Sequence, residues 1–133
     1  MIKFRLYPEN GSIYFTVYIL PDLRQMQEFL INVWAVEEQK AKRTSAWMLL
    51  VSRGKQYGIL VFNLTGLTES SVAHELQHAV LAFAERKKIL KNPLFYLRSP
   101  EAGYRLEERL AEVAGELHRQ FRWKCKKRKI GIK

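Results

Sequence analysis

The stretch Thr68-Glu69-Ser70-Ser71-Val72-Ala73-His74-Glu75-Leu76-Gln77-His78-Ala79-Val80 decides how this chain is read. Thr68 or Ser70 can cap a helix, and Leu76, Val80 and Phe83 follow at helical spacing, so a helix is predicted from near Glu69 to about Lys88. Inside it His74-Glu75-Leu76-Gln77-His78 has the form H-E-x-x-H. At about 3.6 residues per turn the two histidines stand one above the other, where both imidazoles can reach one ion. Glu75 is rotated by about 100° from His74, too far round to join the histidines as a ligand but near enough to take a proton from water at a metal's open position. Zn2+ is the ion this donor set implies.

Working outward, Tyr57 to Leu64 is rich in β-formers, and Arg53-Gly54-Lys55-Gln56 reads as a turn back to the apolar run Ala46 to Val51. That predicts a hairpin just before the motif helix. A first hairpin is predicted from the alternation of Ile2, Phe4 and Leu6, the turn pair Asn10-Gly11, and the alternation of Ile13, Phe15, Val17 and Ile19. Between the hairpins, Asp22 and Gln25 stand at capping-box spacing ahead of a core stripe of Leu23, Met26, Leu30, Val33 and Trp34. Glu37 to Ser45 reads as a connection or a frayed helix end. After the motif helix, Pro93, Phe95-Tyr96 and Ser99-Pro100 interrupt the pattern. A last helix is predicted from about Glu101 to Phe121, burying Leu106, Leu110, Val113 and Leu117. The expected fold is α+β: a small, mostly antiparallel sheet from two hairpins, packed with the motif helix and a ligand-bearing C-terminal helix.

The formal charge of +10 resides mostly at one end. Residues 119 to 133 hold eight bases and no acid, leaving 15 bases against 13 acids in residues 1 to 118. The reading is therefore one domain over residues 1 to 121 and a basic tail over 122 to 133, able to bind phosphates non-specifically or simply to remain solvated. With 47% apolar and 27% charged residues the composition is that of a soluble domain. No apolar run is long enough for a membrane span and no secretory signal is seen, so the expectation is a cytoplasmic protein with no membrane association. Cys125 is expected to be a lone free thiol whose pKa neighbouring cations could lower.

Two histidines do not hold a catalytic zinc, so a third protein ligand is expected. On the last helix Glu108 shares a face with Ala111, Glu112 and Gly115, whose small residues favour close approach to the motif helix. Glu108 is the first candidate, Glu112 the second and His118 a nitrogen alternative. Tyr96, Tyr104 and His118 are candidate stabilisers of an oxyanion, against which stands the commoner role of such residues in packing.

A strand such as Tyr57 to Leu64, a helix with H-E-x-x-H and a later helix with E-E-x-x-A-x-x-x-G resembles the minimal zincin domains of small phage-type zinc metallopeptidases, and more distantly the ImmA/IrrE type. The similarity covers about residues 57 to 120; residues 1 to 56 lie outside it. The resemblance implies that the last helix donates the third ligand, which its alanine and glycine place on Glu108. It also implies that the strand before the motif helix lies along the cleft and pairs with an extended peptide. Gln77 stands where such families commonly carry a small residue, and no third histidine follows at metzincin spacing. The resulting expectation is a zinc metallopeptidase acting on peptide or protein substrates, with His74, His78 and Glu108 on the metal and Glu75 as general base. The alternatives are a nucleic-acid-associated zinc protein of the SprT-like kind and a zincin-like module used only for interaction.

Overall fold

A computed structural model describes residues 1–9, 11, 13–51 and 53–133. Among them four strands form one sheet: β1 (Ile2–Leu6), β2 (Tyr14–Leu20), β3 (Ala46–Leu49) and β4 (Gln56–Asn63). Five helices accompany it: α1 (Leu23–Asn32), α2 (Glu38–Ala41), α3 (Glu69–Arg86), α4 (Pro93–Arg98) and α5 (Pro100–Lys127). The strand order is β1-β2-β4-β3. Both predicted hairpins form, β1 with β2 and β3 with β4, each antiparallel. Asn10 of the expected turn lies outside the described residues. The hairpins join through a parallel pairing of β2 with β4, in which Val17 faces Leu60 and Ile19 faces Phe62, so the sheet is mixed.

The alternation of β4 shows why this arrangement is stable. Leu60 and Phe62 face α3 and α5, while Ile59 and Val61 face α1, and all four side chains are buried. Three layers result, helices on both faces of a sheet. Each fully buried aliphatic or aromatic side chain contributes about 1.5–3 kcal/mol relative to exposure. Gly58 of β4 leaves room at the far end of the sheet, since a Cβ there would meet Met48 Cε at 2.7 Å and the Leu49 carbonyl oxygen at 3.0 Å.

Several expectations are corrected. On α1 only Met26 and Leu30 are fully buried; Leu23 and the C-cap Val33 are exposed, while Phe29, Ile31 and Trp34 pack half-buried against the same cluster. On α5 the buried stripe is Val113, Leu117, Phe121 and Cys125, while Leu106 and Leu110 are half-buried. The boundary expected at residue 121 has no counterpart, since α5 runs to Lys127. The chain then folds back: Ile130 and Ile132 pack on the core, the Lys133 N–H donates to the Leu67 carbonyl, and the Glu69 N–H donates to the Lys133 carbonyl. Alternating isoleucines among the lysines anchor the segment that charge alone marks as a tail.

Candidate functional site

The motif helix starts where the sequence places it. Thr68 is the N-cap of α3: its hydroxyl accepts from the Ser71 N–H, and the Ser71 hydroxyl accepts from the Thr68 N–H. This reciprocal cap satisfies two of the helix's unpaired donors one turn ahead of the histidines. Val72, Leu76, Ala79, Val80 and Phe83 turn into the core, leaving His74 and His78 on the outer face.

There the two imidazoles converge. Their Nε2 atoms are 3.2 Å apart, with ring centroids at 4.8 Å and planes 82° apart. Glu75, about 100° further round the helix, is only 5% exposed, with its Oε1 3.9 Å from His74 Nε2. Burial pushes the Glu75 carboxyl above its ordinary range, and the two histidines oppose that shift.

Glu75 stands at the wall of a cleft of about 450 Å³ between α3 and β3. Ala46, Met48 and Leu50 line one side, and His74, His78, Leu81 and Glu85 the other. A polar groove leads into the same site past Arg43, Thr44 and Ser70. The strand along the cleft is β3, which corrects the expectation that Tyr57 to Leu64 would take that place. β4 is hydrogen-bonded on both edges, by β2 and by β3, and has no edge to offer a peptide, whereas β3 ends the sheet.

The structure brings together His74, Glu75 and His78 but not Glu108. Among the described residues no group of three or more His, Cys, Asp or Glu side chains is arranged to hold a metal. Glu108 is exposed and accepts the Tyr104 hydroxyl, which raises the phenol's pKa. Helical spacing explains its position, for Glu108 lies nine residues before the buried Leu117, about half a turn from the face that meets the core. Glu112 and Glu116 line a different hollow, with Tyr7, Glu9 and Arg109. His118 lies near the ion pair of Arg122 with Glu69; burial first, then Arg122, hold its imidazole below the usual range, with Glu69 opposing.

The oxyanion candidates also lie elsewhere. The Tyr96 hydroxyl accepts from the Lys91 N–H at 2.8 Å and donates to the Ile89 carbonyl, and Tyr104 is engaged by Glu108. The sequence reading missed Arg43, Thr44, Met48, Leu50, Leu81 and Glu85 as site residues. Leu81 and Glu85 were findable, since they continue the His74-His78 stripe at helical spacing. The others depend on where β3 falls in the sheet.

No protein-family profile matches the chain, and neither curated proteins nor solved structures match it.

Proposed function

We propose that this chain is a metal-dependent hydrolase of the zincin type that cleaves peptide bonds. The observation that supports the reading is the convergence of two imidazole nitrogens at 3.2 Å beside a buried carboxylate, at the head of a cleft walled by a sheet edge. Two nitrogens at about 2.0–2.1 Å from a tetrahedral zinc stand about 3.3–3.4 Å apart, so the pair fits two corners of such a site with little movement. Among the described residues no third His, Cys, Asp or Glu side chain is grouped with the pair.

When bound, zinc would polarise a scissile carbonyl and acidify a water. The chain's own part follows from its geometry. His74 and His78 would hold the ion on the outer face of α3, whose capping box fixes the start of the helix that carries both rings. Glu75, kept from full solvation and raised in pKa, would be the group that accepts a proton from the attacking water and returns it to the leaving amine. The free edge of β3 pairs with an extended substrate, and Met48, Leu50 and Leu81 contact its side chains.

The test is metal content and turnover on one set of variants. Wild type is expected to hold one zinc per chain and His78→Ala none. Glu75→Gln is expected to keep the zinc and lose turnover of a peptide substrate by at least about a hundredfold. Glu108→Ala is expected to keep its zinc, because that carboxylate faces solvent. A wild-type chain without bound metal, or a His78→Ala variant that retains it, would refute the reading. The outward position of Glu108 favours a second reading, a zincin-like module used for interaction; full biological activity in Glu75→Gln selects it.

A further inference from the structure

We propose that the C-terminal half of α5 is a binding surface for single-stranded nucleic acid, with Trp123 as a stacking platform between cations. The apolar stripe of this helix is consumed by the core, and the opposite face carries Arg119, Arg122, Trp123 and Lys126 at spacings of three, four and seven residues. That spacing sets all four side chains along two turns of one solvent-facing stripe. Each is exposed, and Trp123 is 55% exposed although a large aromatic ring gains by burial. Lys127 Nζ stands 5.1 Å from the Trp123 ring centre, so a cation already borders the indole face.

Charge extends the surface. No acid follows Glu116 in the sequence, and the two acids that reach the stripe, Glu116 on Arg119 and Glu69 on Arg122, leave Lys126, Lys127 and Lys129 without a carboxylate among the described residues. Because α5 continues to Lys127 as helix, Lys126 and Lys127 are carried on a fixed backbone instead of on a mobile arm. A fixed row of cations tracks phosphates, and an exposed indole among them accepts a base from a strand whose bases are unpaired. A lipid surface fits less well. An interfacial helix inserts a broad apolar face, but Val113, Leu117, Phe121 and Cys125 are buried and Trp123 alone remains on the outer stripe.

The experiment is fluorescence anisotropy with a labelled oligothymidylate of about 12 nucleotides, inside the usual span of single-strand sites. Wild-type protein is expected to bind it with an affinity that falls steeply with salt, at about 0.7 in log–log slope per phosphate engaged. Trp123→Ala is expected to weaken binding about tenfold, with Trp123→Phe retaining most of it. The double variant Lys126→Glu/Lys127→Glu is expected to lose at least about tenfold and to flatten the salt slope. All three positions are solvent-exposed, and circular dichroism checks that the fold persists. Absence of binding at low salt overturns the proposal. So does equal affinity of Trp123→Ala and wild type, which leaves charge as the sole determinant, or preference for anionic vesicles over the oligonucleotide.

Discussion

At the scale of single residues, the side chains that chemistry makes conspicuous behave according to burial. Glu75 and His74 are sequence neighbours, yet one is 5% exposed and the other has a side chain 69% exposed, since about 100° of rotation separates a wall from an open face. The H-E-x-x-H spacing on a helix is enough to make that division legible. Cys125 shows the opposite case. Its cationic neighbours in sequence suggest a lowered pKa, but it sits on the core stripe of α5, and burial pushes its thiol up to about 11 with only Arg128 opposing. The native thiol is therefore expected to react with a disulfide reagent at about pH 8 at least about a hundredfold more slowly than in denaturant. The sign for stability also follows. An unfolded thiol ionises near about 8.5 while the folded one resists to about 11, so stability is expected to fall as pH rises through that interval. Rapid native labelling would contradict this placement.

At the scale of elements, α5 is tied to the end of β1 by polar contacts that no periodicity announces. Gln120 receives the Tyr7 N–H at 2.8 Å and donates to the Tyr7 carbonyl at 2.8 Å, and it also donates to Glu116. Arg119 first, then Gln120, draw the Glu116 carboxyl down to about 2. Arg109 likewise lowers Glu9 through a two-pronged contact at 2.9 and 3.0 Å. For a carboxyl whose pKa is depressed in the folded state, the stabilisation is present above the unfolded value of about 4.3 and lost as pH falls toward about 2. Denaturant titrations are expected to show that loss in wild type and a shallower one in Glu116→Gln. The difference should be under about 1 kcal/mol, because solvent screens the Glu116–Arg119 pair. Identical pH dependence in the two proteins would remove Glu116 from this role. Helix α4 forms at Pro93–Arg98, where the sequence reads as an interruption. The hairpins and the helices α1, α3 and α5 were readable from apolar period and caps such as Asp22, whose carboxylate accepts the Gln25 N–H. The partner of each element was not, because period reports which face is apolar and not what it meets.

At the scale of the whole molecule, the last residues close the fold. Ile130 and Ile132 pack on the main core, and Lys133 exchanges backbone hydrogen bonds with Leu67 and Glu69 at the entry to the motif helix. Deleting residues 129 to 133 is expected to cost about 2–4 kcal/mol and to lower Tm by several degrees, from two partly buried side chains and four lost backbone bonds. An unchanged Tm would restore the view of this segment as a solvated tail. Among the described residues, no helix is long and apolar enough to cross a membrane.

The chain's own pattern determined its α+β class, both hairpins, the capped motif helix and the pairing of His74 with His78, because each rests on residues within a few positions of one another. Tertiary structure alone decided that β3 and not β4 borders the cleft, that Glu108 is exposed, and that the basic terminus belongs to the folded body. These outcomes depend on strand order, on the rotation of one helix against another and on which lysine-flanked isoleucines reach the core. Contacts between residues distant in sequence set all three, and local spacing carries no record of them.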